Sequence, residues 1–414
     1  MAAGKGTRMK SDLPKVLHPV CGRPMLNYVL DAVKAAGSLK QYVVVGHQAD
    51  HVTRILPDTS QAVEQKKLLG TADAVKTALK QLPSNSGDIL ITCGDTPLLT
   101  AKTLKALVKS HRQTGASCTI LTSVVEDSTG YGRVVRGIDG DPVVIREERD
   151  ANPDERRILE INTGVYCFKA SSLRKAIADV KMNVRKKEYY LTDVVEIMAA
   201  RRWKIAAYET EDPSEGWGVN DKIALARCGE VIRYRILEDL MRSGVSIVDP
   251  CTTFISADVR IGANTVIKPF TVIEDDVRIG KECQIGPFAH VRPGVRIGDR
   301  TEIGNFTEIS RSSVGKDCFM KHFSFLGDAR VGSRVNIGAG AVTANFDGKD
   351  KHQTRVGDDA FVGSDAILVA PARVGKKSVV GAGCVMAGKK DVPAGKVMVG
   401  VPGRVLDKKK TQDT

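Results

Sequence analysis

Residues 254–309 read FISADVRIGANTVIKPFTVIEDDVRIGKECQIGPFAHVRPGVRIGDRTEIGNFTEI. Within them Ile255, Ile261, Ile267, Ile273, Ile279, Ile285, Val291, Ile297, Ile303 and Ile309 stand six residues apart without interruption. Neither a helix nor an ordinary strand has that period. A chain that turns a corner every six residues, placing one aliphatic inward on each flat face, does; three faces close a triangular coil. The rhythm slips by one residue at Val314, resumes through Met320 and Leu326, and slips again at Val331 and Ile337. It returns at Val356, Val362, Leu368, Val374, Val380 and Met386. The second half of the chain is therefore expected to be a parallel β-helix. Such prisms stack into symmetric oligomers and hold ligands between copies.

At 414 residues the chain exceeds one core and suits two domains with a connector. No stretch approaches the ~20 apolar residues that span a bilayer, and no basic, apolar leader opens the chain, so neither membrane insertion nor export is expected. Cysteines 21, 93, 118, 167, 228, 251, 283, 318 and 384 are scattered without a C-x-x-C pair. That speaks against a zinc site or disulfide framework and for the reducing cytoplasm. The formal charge is +13. Its lysines and arginines form no stripe and have no aromatic-basic platform beside them, so no nucleic-acid partner is expected. An excess of positive potential instead concentrates small anionic substrates.

Residues 1–221 alternate short aliphatic strands (Tyr42–Gly46, Asp88–Thr92, Ser117–Val124) with amphipathic helices (Ala72–Gln81, Ala101–Thr114). This predicts an α/β domain with a mixed, mostly parallel sheet of Rossmann-like character. Residues 222–245 read as a helical arm or as the last helix of that domain, with Leu225, Cys228, Ile232, Ile236 and Leu240 on one stripe. The prism follows over 246–402, and 403–414 is a polar tail, expected to be disordered, that gathers Lys408, Lys409 and Lys410.

The chain opens Met1-Ala2-Ala3-Gly4-Lys5-Gly6-Thr7-Arg8-Met9, with Pro14-Lys15 shortly after. Gly4 and Gly6 permit a tight turn whose N–H groups converge on phosphate oxygens, while Arg8 and Lys15 neutralise charge that builds up during transfer. A G-x-G alone is weak evidence; with Pro14-Lys15 at fixed distance the string resembles sugar-1-phosphate nucleotidyltransferases. Lys15-Val16-Leu17-His18, Leu69-Gly70-Thr71, Gly94-Asp95-Thr96-Pro97-Leu98, Thr129-Gly130-Tyr131-Gly132-Arg133, Glu160-Ile161-Asn162-Thr163-Gly164 and Glu188-Tyr189-Tyr190-Leu191-Thr192-Asp193 extend the likeness. Over nearly its whole length the chain resembles the bifunctional N-acetylglucosamine-1-phosphate uridyltransferase/glucosamine-1-phosphate acetyltransferase family, whose β-helix is left-handed and whose assembly is a homotrimer.

The resemblance implies that Asp95 and Asn220 hold Mg²⁺, as hard oxygen ligands that leave room for water and phosphate. It implies UTP binding by Ala3, Gly4, Gly6, Lys15, Gln65, Gly70, Thr71 and Asp95, with Gln65 reading the uracil edge. N-acetylglucosamine-1-phosphate is then bound by Gly132, Glu147, Asn162 and Asn220, and Arg8 and Lys15 are catalytic. Cys93 stands where the family often has tyrosine. Family members also carry an aliphatic strand before Ala2-Ala3-Gly4, where this chain has only Met1; the expectation is that another element substitutes or that the first activity is weakened.

In the prism, His322 has the side chain best suited to take a proton from an amine near neutral pH. A lone histidine is usually structural; the resemblance makes this one the general base for acetyl transfer from acetyl-CoA to glucosamine-1-phosphate. Arg292, Asn336 and Lys351 match the amino-sugar phosphate site, and Asn345, Phe346, Ser364 and Ala382 the acetyl-CoA groove. Residues 344–348 break the repeat as a loop expected to reach a neighbouring copy. Ser310 replaces a lysine, and Phe325 and Phe346 replace tyrosines. Losing a charged donor to phosphate costs about 1.5–3 kcal/mol, and Arg311 is expected to point to the opposite face of its strand. The prism also looks about two coils short before Arg292. The alternatives are nucleotidyl transfer alone with the prism as a trimer scaffold, a different amino sugar, or a non-catalytic regulatory subunit; the joint presence of Lys15, Asp95, Asn220 and His322 speaks against the last.

Overall fold

The computed structural model describes residues 1–38, 40–184 and 187–406, so Lys408–Lys410 and the tail from 407 lie outside the described residues. Contacts divide the chain into Met1–Val231 and Ile232–Thr414. The division falls inside the helix Lys222–Arg242.

In the first unit the ten-residue strand Glu160–Lys169 is the spine of a six-stranded sheet. It runs antiparallel to Cys118–Val124 along one edge and to Asp88–Ile91 and Gly132–Arg136 along the other. Ile205–Glu209 extends the sheet in parallel beyond Cys118–Val124. Six of the seven residues of Cys118–Val124 are buried, the continuous aliphatic pattern of a strand covered on both faces. Gln41–Val45 pairs in parallel with Ser60–Glu64 as a separate two-stranded sheet.

Seven helices accompany these strands among the described residues: α1 Met25–Ala35, α2 Ala49–Thr53, α3 Thr71–Leu79, α4 Ala101–Thr114, α5 Ala170–Ile177, α6 Asp193–Ala200 and α7 Lys222–Arg242. Helix α4 starts where the Thr100 hydroxyl accepts from the Thr103 N–H at 3.2 Å, and stops at Gly115, φ 64°. Leu104, Leu107 and His111 form its buried face. The missing-strand expectation has a direct counterpart: no described strand lies between Gln41–Val45 and Asp88–Ile91. Only Met1–Ala3 spans the two, with the Ala2 N–H donating to Val44 O and the Gly94 N–H to Met1 O, both at 2.8 Å.

The second unit is the three-sided coil. One face has ten strands from Ser246–Ile247 to Arg404–Leu406; the second has eight from Phe254–Ile255 to Val385–Met386; the third has eight from Arg260–Ile261 to Asp391–Val392. Register partners lie 18 residues apart (Gln284 and Glu302), then 17 (Glu302 and Phe319; Phe319 and Asn336), then 25 (Asn336 and Phe361). The 17-residue steps are the two slips in the rhythm, and the 25-residue step contains the loop. Nearly every six-spaced aliphatic is buried, from Ile255 at 2% exposure to Met386 at 0%, while Ile261 packs against the core partly exposed. A second inward position stands two residues earlier in each turn and takes Thr265, Thr271, Cys283, Ala289 or Thr301, all buried. The coil ends in a hairpin, Arg404–Leu406 pairing antiparallel with Val397–Val399, so ordered structure extends past the expected boundary at 402.

Candidate active site

In the first unit a turn at Gly6, φ 60°, leads into the short helix Thr7–Met9. A Cβ on Gly6 would lie 2.5 Å from the Lys15 Cβ, so only glycine lets the loop close over Lys15. Around Gly4 the space is open. On the facing side Asp95 follows Asp88–Ile91, held by the Val219 N–H donating to its carbonyl at 2.8 Å. The Lys15 ammonium contacts the Asp95 carboxylate and donates to Asn220 Oδ1 at 3.2 Å. Arg8 donates to the same Oδ1 at 2.8 Å. Four residues up to 212 positions apart thus converge at one point. Beside it opens a cavity of about 650 Å³ lined by Arg8, Tyr131, Trp217 and Asn220.

This donor set suits a divalent cation. The Asp95 and Asn220 oxygens are already turned to a positive charge, that of Lys15, and both are hard donors. Among the described residues no group of three His, Cys, Asp or Glu could hold a metal, so phosphate and water oxygens must complete any coordination shell.

The predicted nucleotide residues hold one another in place. Buried Gln65 donates to Gly70 O at 3.1 Å and to Asp73 at 2.7 Å. Thr71 Oγ1 accepts from the Leu191 N–H at 2.9 Å, and Gly70, φ 105°, lies so close to Tyr189 that a Cβ would be 2.5 Å from its carbonyl oxygen. Ala3 is buried, its carbonyl accepting from the His47 N–H at 3.1 Å. Gly132 and Asn162 are register partners on adjacent strands. Burial pushes the Glu147 carboxyl above its ordinary range, although the Thr192 hydroxyl donates to it at 3.0 Å and favours its charge. Burial likewise drives the Cys93 thiol up to about 11, an inert side chain under Gly164.

The sequence reading missed Arg133. Its guanidinium is buried, contacts Tyr131 O and pairs with Glu148 at 2.5 Å, while Glu148 accepts from the Gly130 N–H at 3.1 Å. These bonds fix the Thr129–Tyr131 turn beside Asn220. An arginine next to glycine in a strand of valines was the available signal. Glu215 was missed as well: buried, it accepts from the Thr100 hydroxyl at 2.9 Å and anchors the start of α4.

In the second unit His322 lies at the corner after Phe319–Met320 and before Ser324–Gly327, exposed, with no hydrogen bond to its ring among the described residues. Asn345 is buried and donates to Asp328 at 2.5 Å. Arg311 forks onto Asp328 at 2.7 and 2.9 Å and donates to Ser310 Oγ at 2.7 Å. This corrects the expectation for Arg311: at φ 49° it is a corner residue, so strand alternation does not turn it away from Ser310. Phe325 lies near Asn345, since a Cβ on Gly327 would be 2.7 Å from both side chains. Arg292 is already paired with Glu308 at 3.0 Å. The loop is a small hairpin, Phe346 bridging to Lys351, with Asp347 accepting from the Lys349 and Asp350 N–H groups and from His352. Those bonds hold the Asp347 carboxyl far below the usual carboxylate range.

Within one chain the predicted residues of this unit fall into two groups. Arg292, Phe325, Asn345, Phe346 and Lys351 follow the second face. Asn336, Ser364 and Ala382 follow the first, with Ala382 stacked one coil beyond Gly363. His322 stands at the corner between them.

Residues 1–183 match the model of the MobA-like NTP transferase domain. Residues 276–311 match the bacterial transferase hexapeptide (six repeats), and 353–386 the hexapeptide repeat of succinyl-transferase. Among curated proteins the chain is similar to the bifunctional protein GlmU of Shouchella clausii, 44% identical, with 95% of this chain and 94% of the relative covered. The same protein of Pelotomaculum thermopropionicum is 44% identical over 90% of this chain and 88% of the relative. That of Listeria monocytogenes is 42% identical over 95% and 93%.

Proposed function

We propose, from the premise that this chain belongs to the family of the bifunctional protein GlmU, that it makes UDP-N-acetylglucosamine by two transfers. In the second unit the amine of glucosamine-1-phosphate attacks the thioester carbon of acetyl-CoA, the carbon–sulfur bond breaks, His322 takes the amine proton, and free CoA thiol leaves. In the first unit a phosphate oxygen of N-acetylglucosamine-1-phosphate attacks the α-phosphorus of UTP, the bond to the β-phosphate oxygen breaks, and pyrophosphate leaves.

The observation that carries the reading is the meeting of Arg8, Lys15, Asp95 and Asn220 beside an open glycine turn. Lys15 and Arg8 exchange their protein partners for phosphate oxygens as substrate enters, holding the charge that develops on the leaving pyrophosphate. Mg²⁺ on the oxygens of Asp95 and Asn220 would supply the remaining neutralisation. The chain acts in the cytoplasm as a homotrimer, with the two residue groups of the prism completing each other across copies. Support for that assembly comes from their separation within one chain.

Two assays test the halves: pyrophosphate release from UTP with N-acetylglucosamine-1-phosphate, and thiol release from acetyl-CoA with glucosamine-1-phosphate. Full uridylyl transfer by Asp95→Ala would overturn the first assignment. Thiol release no faster than background would favour the second reading, nucleotidyl transfer alone with the prism as scaffold. Ser310, Phe325 and the pairing of Arg311 with Asp328 favour that reading.

A further inference from the structure

The sheet of the first unit is open between Gln41–Val45 and Asp88–Ile91. Each of these strands pairs with one neighbour along one edge, Ser60–Glu64 and Glu160–Lys169 respectively. Both strands line one cavity of about 680 Å³, into which α1 contributes Leu26, Leu30 and Val33 and α3 contributes Val75 and Leu79. Aliphatic helix faces and facing strand edges are what surround a central strand in a covered sheet. At one end of the slot Met1–Ala3 already behave as such a strand. Ala2 pairs with Val45 in the parallel sense, Met1 N donates to Thr92 O at 2.8 Å, and Gly94 N donates to Met1 O at 2.8 Å.

We propose that this slot binds an extended, uncharged aliphatic peptide as an added strand, parallel to Gln41–Val45 and continuing the pairing that Met1–Ala3 begin. Its length follows from the flanks, five residues on one side and four on the other. Backbone hydrogen bonds to both edges supply affinity, and side chains alternating between the α1 and α3 residues supply specificity. Leaving buried backbone groups unpaired is costly, about 1–3 kcal/mol each, so an occupant that pairs is favoured over an apolar molecule that only fills space. The ligand class is set by this pairing: a peptide, with acyl chains as the competing source of apolar bulk.

The test uses the full chain and a pentapeptide of valine and isoleucine with a fluorescein-bearing lysine tail at its N-terminal end. Titration by fluorescence anisotropy is expected to be saturable and to raise the first melting transition. A peptide with proline at its central residue lacks one donor and is expected to bind at least ten-fold more weakly. Equal binding of the proline peptide, displacement by lauric acid at comparable concentration, or no saturable binding up to the solubility limit would each overturn the proposal. None of these readouts depends on transferase activity.

Discussion

Gly6 meets two demands at one position: a φ of 60° and a distance to Lys15 too short for any side chain. Gly6→Ala is expected to cost about 1–3 kcal/mol in urea unfolding and to lower pyrophosphate release more than ten-fold, while thiol release by the prism stays unchanged. Asp193 gives a pH signature. Burial first, then Glu196, Glu147 and Asp150, raise its carboxyl from 3.8 to about 6. An acid raised by folding carries no penalty below its unfolded value and weakens the fold as pH climbs through the folded one. The group is only half buried, so after allowance for solvent screening the effect is about 1 kcal/mol. Asp193→Asn should therefore stabilise the first unit at pH 8 and hardly at pH 4.5; an equal gain at both would sink the assignment. At this scale glycine and lysine spacing announced the phosphate turn, and Asp95 was readable from Gly94-Asp95. Arg133 and Glu148 were not readable, because their meeting depends on which residues two strands and a turn bring together. Arg311 misled because alternation holds only inside a strand, and a left-handed corner resets it.

Each edge of the prism is made by one residue in a left-handed conformation, as at Asn264, Phe270, Asp276 and Glu282, six apart. Glycine fills positions where the next coil passes within contact distance: a Cβ on Gly298 would be 2.7 Å from the backbone of Gly315. Inside the corner Thr301 donates to Gly315 O at 2.8 Å and accepts from the Cys318 N–H at 3.2 Å, tying two coils together. Thr301→Val keeps the shape and removes both bonds, so it is expected to destabilise the prism by about 1–3 kcal/mol, with Thr301→Ser well below that. Calorimetry on the two variants distinguishes bonding from packing. The aliphatic row was legible because its period is unlike that of any other element. The small residues two positions earlier were not, since threonine, cysteine and alanine share size but no hydropathy.

For the whole molecule the decisive question is whether one chain suffices. The groups following the first and second faces do not meet within a chain apart from the corner at His322, so each acetyl-transfer site is proposed to draw on two copies. Co-assembled His322→Ala and Asn345→Ala chains, each inactive alone in thiol release, are then expected to recover roughly a quarter of wild-type activity in a one-to-one mixture, if sites form between randomly associated copies. No recovery after refolding together would place both residues in one chain's site. The two-part architecture was readable from the sequence, because hexads and alternating strands and helices cannot be confused. The open slot between Gln41–Val45 and Asp88–Ile91 was foreshadowed only as a missing strand; its volume and lining follow from packing.

The steps of 18, 17 and 25 residues also set how such a protein can change. Because a coil touches only the coil above and the coil below, a whole turn can be added or lost while the cross-section stays the same. Height and chemistry are then inherited separately: a lineage could shorten the column far from His322 and leave every reactive group where it was.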